Sequence, residues 1–269
     1  MKTIIVPVSG GKDSEVCLSL ALKTGTPVIA CYQDTGFEHL DTYQQLDDME
    51  TFYGVKINRI KSARYESVPD LMVKQQMIPS GAARVCTRDL KQGVFRDWLT
   101  EQGACAGSHQ IWFGMRADEG VKRGKKYAGL SPEDSLRLGD LSIYSSAQLR
   151  DIVMKLPIVD WSTGDVFQYL AGEGAPVNPL YARGHRRVGC YPCVFASRTE
   201  WRLVAKTDVG RAHIVALLDA EERINIARAG YNRTLRQDFD VRALLREQAE
   251  TQGLFDDDEE QGGCAWCQM

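Results

Sequence analysis

Apolar positions recur in two alternating rhythms over the first 60 residues. Residues 3–8 form an apolar run of strand length, and residues 14–23 place Val16, Cys17, Leu20 and Ala21 on one helical face. A second apolar strand spans residues 27–32, an amphipathic helix covers 38–53 up to Gly54, and a third strand spans 55–60. This βαβαβ alternation predicts a parallel sheet covered by helices on both faces. Pro7 is placed at the end of the first strand, because a central strand needs the amide hydrogen that proline lacks. Further on, helices are predicted over 66–77 and 87–102, and strands over 110–115 and 152–158, followed by a helix over 163–171. Residues 117–150 carry much charge and glycine and little periodicity, and read as a mobile, lid-like excursion. Beyond about residue 178 the strands stop, and helices are predicted over 197–218, 220–229 and 240–252. The predicted architecture is α/β: a doubly wound, mostly parallel five-stranded sheet over residues 1–177, then a small helical, cysteine-bearing part over 178–269.

The 269 residues, 43% of them hydrophobic, suffice for one sizeable core and an appendage. The net charge of −3 gives no global basic field for nucleic acid. Two local basic runs, at 122–126 and 183–187, are available to phosphates or lie solvated. No apolar stretch reaches membrane-spanning length, and the first strand leaves no room for a leader peptide, so a cytoplasmic protein without a membrane partner is expected. Of eight cysteines, Cys17 and Cys31 fall in apolar segments as core residues, and Cys105 carries no signal. In a reducing cytosol the pairs Cys190-x-x-Cys193 and Cys264-x-x-Cys267 favour a metal or redox centre over disulfides.

The chemistry concentrates in Ser9-Gly10-Gly11-Lys12-Asp13-Ser14, at the junction of the first strand and first helix. Two glycines let the backbone approach a phosphate, the helix start supplies free amide donors and a positive dipole end, and Lys12 supplies a full charge. Ser9 and Ser14 add hydroxyls. Three more segments fall at carboxyl ends of strands, where open parallel sheets bind ligands. Asp34-Thr35-Gly36 is either a turn or an adenosine contact through Asp34. The segment running from Gly114 through Arg116, Asp118 and Glu119 offers a phosphate clamp and oxygen ligands for Mg2+. The third follows Asp160-Trp161.

The hexapeptide resembles the pyrophosphate-binding loop (PP-loop) of the adenine-nucleotide alpha-hydrolase superfamily. That superfamily includes ATP pyrophosphatases, thiolating enzymes and sulfonucleotide reductases. Within it, the stretch from Asn178 through Cys190-Tyr191-Pro192-Cys193, the segment around Cys86 and Arg88, Gly114–Glu119 and Leu156–Trp161 together resemble the phosphoadenosine phosphosulfate (PAPS) reductase family. The likeness covers roughly residues 3–200. It implies ATP and Mg2+, with Ser9, Gly10, Gly11, Lys12, Asp13, Ser14, Asp34 and Gly114 at the nucleotide and Lys12, Asp13, Arg88, Arg116 and Asp118 in catalysis. It also implies a [4Fe-4S] cluster, with zinc as the alternative, on four of Cys86, Cys190, Cys193, Cys264 and Cys267.

Four departures from the family pattern stand out, the last two bearing on mechanism. Val85-Cys86 stands where cluster-bearing reductases have adjacent cysteines, and Gly120 replaces a family serine. The reductases' Glu-Cys-Gly-Ile/Leu-His tail is absent. Their phosphate loop is usually degenerate, whereas this one is intact. The expectation is an ATP pyrophosphatase that adenylates an acceptor, for sulfur transfer to a nucleobase or nucleic acid from a sulfur donor. A reductase of adenylyl sulfate or its 3′-phosphate, served by a thioredoxin, is the alternative, and a non-catalytic nucleotide-binding subunit of a modification complex is the third. The acceptor and the oligomeric state are not encoded in any motif.

Overall fold

The computed structural model of the protein describes residues 2–247. Six strands form one sheet: β1 (Thr3–Val8), β2 (Val28–Asp34), β3 (Ile57–Lys61), β4 (His109–Trp112), β5 (Leu136–Arg137) and β6 (Val153–Lys155), in the order β3-β2-β1-β4-β6-β5. All pairings are parallel except β5 with β6. The five expected strands are therefore joined by a sixth, a two-residue edge too short to leave a periodic trace in sequence.

Alternation along β1 decides both faces of the sheet. Ile4, Val6 and Val8 join Cys17, Leu18 and Ala21 of α1 (Lys12–Lys23) and Leu46 and Met49 of α2 (Leu40–Tyr53). Ile5 points the other way, to Ile111, Met154 and, on α5 (Gly93–Glu101), Phe95 and Leu99. Helices thus cover both faces, as the alternating pattern requires. Pro7 lies within β1, in register with Cys31, rather than beyond its end. The β1–β4 ladder stops at Ile5, so Pro7 sits where β1 has only β2 as neighbour.

Other elements depart from the sequence reading. The helix expected over 87–102 is present as one unbroken run, α4 (Val85–Thr87), a π-helical turn (Arg88–Gln92) and α5, the π turn being what the sequence did not signal. The helix expected over 66–77 is the shorter α3 (Val68–Gln75). Residues 117–150 are not a loose excursion, since Leu138, Tyr144 and Leu149 are buried in the β4–β6 core. Their spacing serves short 3-10 turns and matches neither helix nor strand. This segment also holds α6 (Val121–Lys126).

After α7 (Thr163–Glu173), capped by the reciprocal Ser162–Asp165 box, the chain enters α8 (Arg198–Ala205) and α9 (Asp208–Ala227). No break occurs near residue 219. The turn falls instead at Thr207, whose hydroxyl accepts from the Gly210 amide at 3.0 Å. A side chain on Gly210 would collide with the Val204 carbonyl, so glycine permits the tight α8–α9 junction. Residues 241–247 are again helical. These helices share a core with α3 around Leu71, Met72, Trp201, Ile214 and Leu217. No helix among the described residues is long and apolar enough to cross a membrane.

Candidate active site

The strand order reverses direction around β1 and β4, which opens a crevice at their carboxyl ends. Ser9–Ser14 leaves β1 into that crevice and becomes the first turn of α1. Gly10 takes a left-handed φ of 66°, and a Cβ there would press on Thr42. The loop is held from within: the Ser9 amide donates to Ser14 Oγ at 3.0 Å, and Ser14 Oγ donates to the Gly11 carbonyl at 2.8 Å. Ser14 is therefore engaged in shaping the loop. The amides of Gly10 and Gly11 have no acceptor among the described residues. Gly114, just past β4, has its backbone against the loop, and a Cβ there would lie 2.4 Å from the Asp13 carbonyl oxygen.

Lys12 is only 6% exposed. Its ammonium pairs with Asp13 Oδ2 at 3.0 Å and lies 5.1 Å from the Tyr181 ring centroid and 5.7 Å from that of Phe167. Arg116 is buried to 1% and spreads its guanidinium over four partners. These are Asp13 Oδ1 at 2.5 Å, Asp118 Oδ2 at 3.3 Å, the Trp161 carbonyl at 3.0 Å and Thr163 Oγ1 at 3.2 Å. The Thr163 amide and hydroxyl also donate to Asp118, and these bonds hold its carboxyl below the ordinary range. Asn178, 2% exposed, donates from Nδ2 to the Gly10 carbonyl at 3.1 Å. The Tyr181 hydroxyl accepts from the Lys12 amide at 3.1 Å.

The structure thus gathers Ser9, Gly10, Gly11, Lys12, Asp13, Ser14, Gly114, Arg116 and Asp118. Both oxygens of Asp13 are taken by cations, and Glu119 pairs with Arg123. No cluster of three His, Cys, Asp or Glu able to hold a metal ion forms among the described residues. The carboxylates expected to place Mg2+, Asp13 and Asp118 or Glu119, serve as ion-pair partners here.

Two further expected residues have their polar contacts outside this group. Asp34 Oδ1 accepts from the Gly36 amide at 2.8 Å and the Tyr43 hydroxyl at 2.9 Å, at the turn that ends β2. Arg88 forms a two-pronged pair with Asp89, 2.6 Å for each contact, in a groove of about 880 Å3 beside β3 and α5. The π-helical turn that carries Arg88 lies against β2 and α5, whereas the phosphate loop follows β1.

A model of the phosphoadenosine phosphosulfate reductase domain matches residues 3–196. The chain belongs to this family. An uncharacterized protein of Methanocaldococcus jannaschii is 31% identical over 193 residues, 71% of this chain and 36% of that protein. The chain therefore spans about a third of that relative's length. An uncharacterized 37.8 kDa protein of Escherichia phage 186 is 29% identical over 240 residues, covering 73% of this chain and 68% of its own. The adenosine 5′-phosphosulfate reductase of Burkholderia cepacia is 26% identical over 177 residues, 66% of this chain and 64% of that one. Among solved structures, the phosphoadenylyl-sulfate reductase of Candida auris, a phosphate complex, superposes with a TM-score of 0.52 at 16% identity. That match covers 71% of this chain and 82% of the other, and the likeness is one of fold.

In this member of the PAPS reductase domain family, a second constellation lies beside the β2 end. Cys190 bridges to Glu38, and its Sγ lies 3.4 Å from Thr35 Oγ1. Burial pushes the Cys190 thiol up to about 12, with Lys91 opposing. Burial likewise raises Cys86, and the neighbouring Cys193 adds to it. Lys91 is held above its ordinary range by Cys190 first, with Glu38, Cys193 and Cys86 adding. All three thiols thus act electrostatically on Lys91. They suit a cluster or zinc chemically, but they are not a complete ligand set. Cys264 and Cys267, the expected remaining donors, lie outside the described residues.

Sequence reading did not assign Thr163, Phe167, Asn178 or Tyr181 to the phosphate site. The run Asn178-Pro179-Leu180-Tyr181 was visible as a motif, but nothing in it points to a loop nearly 170 positions earlier.

Proposed function

We propose that the chain binds ATP with its β- and γ-phosphates on Ser9–Ser14 and transfers AMP to an acceptor oxygen. The observation that carries this reading is Lys12, a nearly buried ammonium at a helix N-terminus beside two unoccupied glycine amides. A dinegative or trinegative phosphate chain is the ligand such a cradle fits. The acceptor oxygen attacks the α-phosphorus, the bond to the bridging oxygen breaks, and pyrophosphate leaves with the electron pair. Lys12 and Arg116 stabilise the charge that develops on that leaving group. Arg116, fixed by four partners, is ready for this without reorganising.

A sulfur nucleophile then displaces AMP from the activated carbon of a nucleobase or nucleic acid. Cys86, Cys190 and Cys193, with one tail cysteine, would hold a [4Fe-4S] cluster whose chemistry is to bind or pass sulfur. Lys12→Ala is expected to abolish pyrophosphate release from ATP while the protein stays folded. Full release in that variant would refute the assignment.

A second reading is favoured by the relatives named adenosine 5′-phosphosulfate reductase. In it, a tail cysteine attacks the sulfate sulfur, AMP leaves, and a thioredoxin-type dithiol then releases sulfite. Sulfite formed from adenylyl sulfate, with no pyrophosphate from ATP, would decide for it.

A further inference from the structure

A groove of about 880 Å3 runs along α5 beside β3, the edge strand of the sheet, and no step of the proposed reaction uses it. Its two ends differ. One end holds Lys61, Arg64, Tyr65, Gln75, Arg88 and Asp89, and the other holds Trp98, Glu101 and Ile143. The helix from Asp89 to Glu101 is unbroken, so at about 1.5 Å per residue the groove is roughly 18 Å long. Trp98 stacks on the buried Phe95, with 6.1 Å between ring centroids and 19° between planes, so its ring is braced on the core while it lines the groove. Tyr65 is fixed at the other end by Gln75, which donates to its hydroxyl at 2.9 Å and to Asp89 Oδ2 at 2.6 Å. Lys74, paired with Asp70, donates to the Arg64 carbonyl at 3.0 Å and steadies the same loop.

Four cations and three carboxylates line the groove. Arg88 is paired with Asp89, and Arg96 with Asp97. Lys61 and Arg64 are exposed and have no carboxylate within ion-pair distance among the described residues, although Arg64 acts on Asp89 at longer range. The nearby Glu66 and Asp70 do not line the groove, and Glu101 lies at its opposite end, beyond Trp98. Unpaired positive charge thus gathers at one end, with an aromatic face further along.

Two walls of the groove are shared with the cysteine constellation. The π-helical turn presents Arg88 to the groove, and Gly93 permits that turn, since a Cβ there would lie 2.9 Å from the Arg88 carbonyl oxygen. Lys91, on the same turn, approaches Gly189 beside Cys190, where an added Cβ would lie 3.9 Å from its ammonium. On the other wall, a Cβ on Gly36 would meet the Glu66 carbonyl and lie 3.3 Å from the Lys61 ammonium, and the preceding Thr35 is the residue 3.4 Å from Cys190 Sγ.

We propose that this groove docks the acceptor, a single-stranded segment of nucleic acid, with Lys61 and Arg64 on its phosphates and a base on Trp98. Alternating phosphates and bases match cations and a ring spaced along one groove, and a lone nucleotide engages one end only. The inference rests on the reading of the acceptor as nucleic acid and adds to it the surface that holds the strand next to the cysteines.

The experiment is fluorescence anisotropy of the full chain with labelled RNA and DNA single strands of about twelve nucleotides, across about 50–200 mM salt. Wild type is compared with the double variant Lys61→Ala/Arg64→Ala and with Trp98→Leu. The double variant is expected to weaken binding about tenfold at low salt. It should also flatten the plot of log Kd against log salt by about 1.4, two phosphates at about 0.7 each. Trp98→Leu is expected to weaken binding about fivefold or more with the slope unchanged, as loss of stacking does. Lys61 and Arg64 are exposed and unpaired, so an unchanged melting temperature verifies that their replacement leaves the fold intact, and the double variant decides alone if Trp98→Leu unfolds. Wild-type affinity and slope in the double variant would overturn this inference and leave a nucleic-acid acceptor docked elsewhere. A duplex or an oligoglutamate bound by wild type as tightly as the single strand would also overturn it, because the groove would then not select unpaired bases. Wild type that binds no oligonucleotide, with or without ATP, would refute the nucleic-acid reading itself, and this inference with it.

Discussion

Replacing Glu15 by glutamine probes the electrostatics of the helix that carries the phosphate loop. Glu15 is 1% exposed. Gln45 donates to its Oε2 at 3.0 Å, and the same amide donates to the Pro176 carbonyl at 2.9 Å. That carbonyl lies two residues before Asn178, so the network braces the segment that donates to the Gly10 carbonyl. Burial pushes the Glu15 carboxyl from 4.5 up to about 8, against the pull of Gln45 and Tyr53. Between those values the folded protein keeps a proton that the unfolded chain has released. Stability therefore falls as pH rises through this window and levels off above it. Each unit costs about 1.4 kcal/mol, so the full penalty above pH 8 is on the order of 3–5 kcal/mol. Glutamine cannot ionise and keeps the shape. Glu15→Gln is expected to match wild type near pH 5 and to exceed it progressively toward pH 8. Urea denaturation followed by circular dichroism at about four pH values across that window measures the difference. A stability difference that stays constant with pH would show that Glu15 is ionised in the folded state, and the argument would fail.

Gly114→Ala is expected to weaken nucleotide binding at least tenfold, because its Cβ would displace the Asp13 backbone; calorimetry with ATP measures it, and unchanged affinity would refute the close approach. The same substitution should cost about 1–3 kcal/mol of stability, as overpacking does. Asn178→Ala removes the bonds to the Gly10 carbonyl and from the Leu180 amide, with an expected loss of about 1–3 kcal/mol and weaker pyrophosphate binding. A variant as stable as wild type would mean that the loop holds its shape alone. Anaerobic purification is expected to yield iron and sulfide, and Cys190→Ser or Cys193→Ser to lose both while the protein keeps its fold. Zinc in place of iron would leave those cysteines a structural role only.

Much of the α/β half was legible because its signals are local. The 2.0 and 3.6 periods through residue 60 depend on which face each side chain meets, and the sheet buries Ile4 and Val6 on one face and Ile5 on the other accordingly. The hexapeptide was legible for the same reason: a strand end, two glycines, a lysine and a helix start lie within six residues. The Leu136–Arg137 strand was not legible, because two residues have no period. Nor was the packing of residues 117–150, whose Leu138, Tyr144 and Leu149 follow turns rather than a repeat. The Thr207 turn was missed because Thr-Asp-Val-Gly is a weak cap signal inside a long helical pattern.

The sequence alone determined that a glycine- and lysine-bearing loop sits at the carboxyl end of a central parallel strand, since every part of it is contiguous. Only the tertiary structure decided what faces the loop. Asn178 and Tyr181 meet it across 168 and 169 positions. It likewise packed Cys86 and Cys190 against one core, gave Asp34 Oδ1 the Gly36 amide, and set Arg88 in a groove beside β3. Such contacts depend on which strands are neighbours in the sheet and how helices pack on it. No local periodicity carries that information, so residues that act together can be far apart in the chain and carry no shared mark.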